Sequence, residues 1–77
     1  MNDHLEVYRG LQAFPNRLAK AITEAGLSTA DLSKKMEHSK TAILSWRNGT
    51  TRPRIDALLK LCVVLKKDPN WFLGWKA

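Results

Sequence analysis

Residues 26–49 read GLSTADLSKKMEHSKTAILSWRNG, and the pattern of this segment is the most informative about the fold. Two serines within it, Ser28 and Ser39, each precede a short run with apolar residues at helical spacing. Serine is favoured at the N-cap because its hydroxyl accepts a hydrogen bond from an orphan backbone N–H of the first turn. Asn48 and Gly49 tolerate the positive φ that ends a helix. The stretch therefore predicts two short helices joined by a tight turn, which is a helix-turn-helix.

The second of these helices, residues 40–47, has two distinct faces. Ile43 and Trp46 are three residues apart and form one inward apolar stripe. The opposite face carries four side chains: Lys40, Thr41, Leu44 and Ser45. Lysine donates hydrogen bonds to guanine, hydroxyls donate or accept, and methyl groups meet the methyl group of thymine. This face therefore suits the major groove, which is about 12 Å wide and admits an α-helix; a merely solvated face is the alternative interpretation.

The rest of the chain also favours helices. Residues 16–25 and residues 55–65 carry apolar residues at helical spacing, and Gly26 fits a C-cap between helices. The stripe predicted to be buried in the later of these helices is Ile55, Leu58, Leu59, Cys62 and Leu65. Asp68 and Pro69 suit the start of a last, aromatic helix. No stretch alternates as a strand would, so the predicted fold is all-α, a compact bundle of about five short helices.

The helix-turn-helix domain is predicted to span residues 14–77. Residues 1–13 are interpreted as an N-terminal arm or a short extra helix. The 77 residues form a single core and leave little room for a deep cleft. The one cysteine excludes an internal disulfide framework and a cysteine-based zinc site, and it fits a reducing cytoplasm. No apolar run reaches the roughly 18 residues that span a membrane, and no metal or other cofactor is expected.

The positive charge is concentrated in the middle of the chain. The formal net charge is +6, from 13 Lys and Arg against 7 Asp and Glu. Residues 34–54 hold six of the cationic side chains, and Glu37 is their only acidic residue. Such a segment favours a polyanionic partner, while a solvated face that maintains solubility is the alternative. The acidic residues are scattered, so nothing indicates an enzyme such as a nuclease.

Four segments of the sequence resemble the Xre/Cro/CI family of helix-turn-helix regulators, above all the DNA-binding domains of lambdoid phage repressors and Cro proteins. The segments are residues 26–36, 43–49, 52–54 and 70–73. The resemblance covers about residues 16–74, which is nearly the whole chain. It implies a transcriptional regulator, either a complete Cro-like protein or the operator-binding part of a longer repressor.

The resemblance also implies which residues contact DNA. The implied base-reading residues are Lys40, Thr41 and Ser45, and Leu44 lies beside them on the same face. The implied phosphate and backbone contacts are Thr29, Asn48, Thr50, Thr51, Arg52 and Arg54, and we predict Ser39 and Arg47 as further phosphate contacts. Of these, Thr29 stands at the start of the first helix of the motif, and Arg54 stands where related repressors direct an arginine to a narrow minor groove.

The sequence departs from the family pattern at four positions. Glu37 and Lys66 stand where the family usually has glycine, so each turn is either reshaped or holds a non-glycine residue at strained φ. Glu37 also places a negative charge near the expected DNA face. The family often pairs an arginine with a glutamate at the positions that Ile22 and Arg47 occupy here. We therefore expect Arg47 to lack that ion pair and to be free for a phosphate.

The predicted function is sequence-specific binding of a palindromic DNA operator by a homodimer, in a bacterial cytoplasm. Trp71, Phe72 and Trp75 are candidates for core packing or for the dimer interface. An antitoxin or regulatory adaptor of the same fold is the alternative function. The same three aromatic residues would then form an exposed patch that binds a toxin or antirepressor protein.

Overall fold

The computed structural model describes residues 3–74, with side chains from residue 7 onward. It contains five helices: α1 (Asp3–Ala25), α2 (Thr29–Met36), α3 (Lys40–Asn48), α4 (Ile55–Leu65) and α5 (Pro69–Leu73). No strand occurs within residues 3–74. The all-α prediction with about five helices is therefore confirmed.

Helix α1 is much longer than the sequence indicated. It runs through Pro15 and crosses the predicted boundary between residues 13 and 14 without a break. A proline inside a helix removes one backbone hydrogen bond and normally kinks or ends the helix. Here packing of the residues before Pro15 onto α5 offsets that loss. Phe14 is buried with its ring centroid 5.8 Å from that of Phe72, and the buried Gly10 lies against the backbone of Leu73 in α5.

The core is formed by one cluster of twelve buried side chains contributed by all five helices. Its members are Phe14, Leu18, Ala21, Ile22, Leu32, Met36, Ile43, Trp46, Ala57, Leu61, Leu65 and Phe72. Burying one large aliphatic or aromatic side chain stabilises a fold by about 1.5–3 kcal/mol. Since no polar or charged residue among the described side chains is buried, this core has no buried polar group to satisfy.

The predicted starts of α2, α3 and α5 are confirmed by their capping hydrogen bonds. The Ser28 hydroxyl accepts from the backbone N–H of Asp31 at 3.0 Å, and the Asp31 carboxylate accepts from the backbone N–H of Ser28 at 3.1 Å. This reciprocal pair is a capping box for α2. The Ser39 hydroxyl caps α3, and the Asp68 carboxylate caps α5 at 2.7 Å. Each helix of the helix-turn-helix therefore begins where the sequence placed it.

The buried face of α4 differs from the prediction. Ala57, Leu61 and Leu65 are buried, whereas Ile55 is 77% exposed and Leu59 is 51% exposed. Of the predicted stripe, only Leu65 is therefore fully in the core. The helix reads IDALLKLCVVL and is apolar on almost every side, so helical spacing alone fits more than one buried stripe. The surfaces that α1, α2 and α5 present decide which stripe faces inward.

Two non-glycine residues end helices in the left-handed region. Glu37 follows α2 at φ 58° and ψ 42°, and Lys66 follows α4 at φ 58° and ψ 46°. Of the two outcomes expected for the missing glycines, the structure has the strained φ at both turns. The turns keep a helix-ending geometry, because the Glu37 backbone N–H still donates to carbonyls of α2.

Candidate nucleic-acid interface

The turn between α2 and α3 is held by hydrogen bonds from both of its sides. The Ser33 hydroxyl donates to the His38 carbonyl, and the His38 backbone N–H donates to the Ser33 carbonyl at 3.2 Å. The half-buried His38 ring lies 5.5 Å from the Trp46 ring, and its Nδ1 is 3.2 Å from the Met36 carbonyl oxygen. From α4, the Lys60 ammonium donates to the same carbonyl at 3.4 Å. The orientation of α3 on α2 is therefore fixed, and His38 serves the turn.

Helix α3 presents the predicted polar face outward. Ile43 and Trp46 are buried, as their spacing predicted. The opposite face is accessible: Lys40, Thr41 and Leu44 are exposed and Ser45 is half-buried. Leu44 is a large apolar side chain among polar neighbours, and it is 43% exposed. A thymine methyl group is a chemically suitable contact for such a side chain.

The loop after α3 folds back onto the helix that it leaves. Gly49 takes φ 79°, and the Thr50 backbone N–H donates to the Ser45 carbonyl at 2.9 Å. A Cβ atom on Gly49 would lie 3.3 Å from the Pro15 ring, so α1 closely supports this loop. Thr50, Thr51 and Arg52 are exposed. The loop therefore holds predicted backbone contacts beside the C-terminal end of α3.

Two residues predicted to contact phosphate, from different helices, meet each other. Arg47 of α3 donates to the hydroxyl of Thr29, the first residue of α2, at 3.4 Å. The ion pair expected to be missing at positions 22 and 47 is absent, because Ile22 is an apolar residue of the core. The guanidinium is nevertheless not free, since Thr29 binds it. Arginine has five N–H donors, and the threonine hydroxyl keeps its own proton, so both remain able to donate to one anion.

A polar cleft of about 280 Å³ lies between α1 and the end of α3. It is lined by Leu11, Gln12, Pro15, Asn16, Arg47, Asn48, Gly49 and Arg52. It brings together three predicted backbone contacts, Arg47, Asn48 and Arg52, and adds two side-chain amides, Gln12 and Asn16. Sequence reasoning missed those amides because it began the first helix at residue 16. Their spacing of four, which places both on one helix face, was the available signal.

The remaining predicted backbone contacts lie outside this cleft. Ser39 is used as the N-cap of α3, so its hydroxyl is engaged with the backbone N–H of Ala42. Arg54 is exposed at the start of α4 and makes no capping hydrogen bond with its side chain. Glu37 is also exposed, at the turn before α3. The surface around α3 is thus cationic with one acidic residue beside it.

The pKa values of Asp31, exposed at the start of α2, and of Cys62, on α4, are shifted. Backbone and side-chain hydrogen bonds from Ser28 lower the pKa of Asp31 below its ordinary value of 3.8, so the cap of α2 keeps its negative charge to a lower pH than a free aspartate does. Burial raises the pKa of the Cys62 thiol, which agrees with its interpretation as an inert packing residue. Neither group contributes a reactive centre to the surface of α3.

The aromatic residues of α5 pack inward. Phe72 is fully buried, so it has no surface to offer a second subunit or another protein. Trp71 is half-buried with its ring centroid 5.3 Å from that of Phe72, and Trp75 lies outside the described residues. Arg17 and Lys67 also lie over the Trp71 ring, at 5.2 and 4.5 Å from its centroid. Of the three aromatic residues predicted for an interface, Phe72 is thus unavailable and Trp71 is only partly accessible, and an interface on α5 stays a prediction.

The fold and the outward face of α3 define a helix-turn-helix DNA-binding domain. A family model described as a Cro/C1-type HTH DNA-binding domain matches residues 17–77, which are 61 of the 77 residues. The chain therefore belongs to the Cro/C1-type family of helix-turn-helix DNA-binding domains, and the resemblance seen in the sequence is confirmed. Comparison with curated proteins and with solved structures gave no match. Within residues 3–74, no helix combines the length and the apolar character needed to cross a bilayer.

Proposed function

We propose that this protein is a transcriptional regulator that recognises a specific double-stranded DNA sequence with helix α3 in the major groove. The observation that carries the proposal is the accessible face of α3 beside a cleft that contains two arginines. Base edges are read in the groove, while phosphate contacts fix the position of the protein along the duplex. In this proposal, different side chains perform these two tasks.

The base-reading task falls to Lys40, Thr41, Leu44 and Ser45. Lysine suits guanine O6 and N7, and the short hydroxyl side chains suit several base edges. The anchoring task falls to the cleft, where the guanidinium groups of Arg47 and Arg52 bind a phosphate with the help of the Asn48, Gln12 and Asn16 amides. Thr29 adds a hydroxyl at the N-terminal end of α2, where the helix dipole favours an anion.

The operator is a palindrome bound by two copies of the chain, with half-site centres about 34–36 Å apart. A single module of this size makes few base contacts, and pairing on DNA supplies the additional affinity that specific binding needs. The biological setting is a phage or prophage repressor or a Cro-like regulator that acts in the bacterial cytoplasm by occupying a promoter.

Selection of bound duplexes from a random pool tests this function. The wild-type protein is expected to enrich a two-fold-symmetric consensus. Lys40→Ala or Ser45→Ala is expected to relax the preference at one base pair per half-site and to cost about 1–3 kcal/mol of operator binding. Lys20→Ala, an exposed lysine of α1 outside the cleft, is the control and should leave the consensus unchanged. A pool that shows no enrichment with the wild-type protein would refute sequence-specific recognition.

A further inference from the structure

Helix α4 exposes a row of three large apolar side chains. Ile55 and Val63 are each 77% exposed and Leu59 is 51% exposed. They are four residues apart, so they lie along one face, while Ala57 and Leu61 bury the opposite face. Single exposed apolar residues are ordinary, but a contiguous row on a small domain marks a contact surface.

A groove of about 390 Å³ runs beside this row, between α4 and the end of α2. Its lining consists of Lys35, Met36, Glu37, Asp56, Leu59, Lys60, Val63 and Val64. Leu59 and Val63 therefore belong both to the apolar row and to the lining of this groove. The groove is also lined by acidic and basic side chains. None of the four base-reading residues of α3 contributes to it.

The charges on this face of α4 would be complementary to those on the same face of a second copy. Asp56 and Lys60 are exposed, four residues apart, on the groove side of the apolar row. Consider two copies of α4 packed antiparallel about a two-fold axis at Leu59. Ile55 then lies opposite Val63 of the second copy, and Asp56 lies only two residues, about 3 Å along the helix, from Lys60 of the second copy. The two-fold axis repeats both contacts, as an isologous interface requires.

We propose that the face of α4 formed by Ile55, Asp56, Leu59, Lys60 and Val63 is the surface through which two copies of this chain associate. The proposal rests on the homodimeric binding proposed above and assigns it to a surface. It replaces α5, since Phe72 is buried and Trp71 is half-covered. The occupant is a second copy because the acidic and basic side chains match each other across a two-fold axis. A strongly acidic partner would repel Asp56, and a lipid surface would remove it from water.

The first test measures self-association without DNA by sedimentation equilibrium. The wild-type protein is expected to dimerise, and Val63→Lys is expected to weaken the dimer about tenfold or more, because each dimer would hold two buried lysines. Val7→Lys is the matched control, since Val7 is 60% exposed on α1 and lies outside the face. A wild-type protein that remains monomeric at about 100 µM would overturn the proposal, and so would equal effects of the two substitutions.

The second test exchanges the charges. With Asp56→Lys alone, positions 56 and 60 of both copies are positively charged, and with Lys60→Asp alone they are all negatively charged. The two copies then repel each other, so each variant is expected to dimerise less than the wild-type protein. Mixed together, the two variants are expected to form a heterodimer. Failure of the mixture to associate better than either variant would overturn the proposed pairing. Circular dichroism of each variant checks that the helices are intact.

Binding to a duplex with one half-site separates this surface from DNA recognition. Val63→Lys should keep the wild-type base preference on a single half-site, because α3 does not contribute to the α4 face. A monomeric wild-type protein that still selects its half-site overturns only the α4 interface. If the wild-type protein shows no preference for its half-site, the proposed sequence-specific DNA binding is overturned instead.

Discussion

Replacing Glu37 with glycine is expected to stabilise this protein and to strengthen its DNA binding. Glu37 holds φ 58° at the end of α2, where glycine has no steric conflict. A left-handed non-glycine residue costs about 1–2 kcal/mol, and the added freedom of glycine in the unfolded chain takes back about 0.4–1 kcal/mol. The midpoints of these two ranges give a net gain of about 0.8 kcal/mol for Glu37→Gly. For a domain of this size, that gain corresponds to a rise in Tm of about 3–6 °C.

Two further variants separate the backbone effect from the charge effect. Lys66→Gly relieves the same φ of 58° after α4 and should give a similar rise in Tm. Glu37→Gln removes the negative charge beside α3 while it keeps the backbone strain. It should therefore leave Tm nearly unchanged and strengthen binding to all DNA sequences at low salt.

Thermal unfolding followed by circular dichroism, together with DNA titrations at two salt concentrations, measures both effects. If Glu37→Gly and Lys66→Gly both melt at or below the wild-type temperature, the assigned backbone strain is wrong. If Glu37→Gln binds DNA no more tightly than the wild-type protein, the charge of Glu37 does not face the DNA.

Three other perturbations test the cleft, a helix end and a cap. Arg47→Ala should lower the slope of log K against log salt by about one phosphate contact, and an unchanged slope would remove Arg47 from the anion site. Gly26→Ala should lower the free energy of unfolding by about 1 kcal/mol in denaturant titrations, because Gly26 holds φ +70°. No heavy atom lies within 4 Å of the added Cβ, so the cost would come from the backbone conformation alone. An unchanged free energy of unfolding would contradict this reasoning. Because the pKa of Asp31 is lowered in the folded state, its ionised carboxylate contributes to the free energy of unfolding at any pH above the unfolded-state pKa. This contribution is lost as the pH falls through the folded-state pKa. Asp31→Asn should therefore make the free energy of unfolding depend less on pH at acidic pH.

The starts of α2, α3 and α5 and the two faces of α3 could be predicted from the sequence alone. Ser28, Ser39 and Asp68 cap their helices through hydrogen bonds that span three residues, so the cause and its effect are local in the chain. The two faces of α3 could be predicted as well, because its buried and accessible residues follow the helical spacing. The family also followed from the sequence, since its motifs occupy these same local segments.

Packing between the helices settled three features that the sequence left open: which stripe of α4 is buried, how far α1 extends and what completes the anion cleft. An almost wholly apolar helix buries whichever face finds a complementary surface, and α1, α2 and α5 supply that surface for Ala57 and Leu61. In the same way, packing of Phe14 on Phe72 carries α1 through a proline that would otherwise end it. These outcomes depend on contacts between residues far apart in sequence, whose free energy is gained only once the helices have packed together.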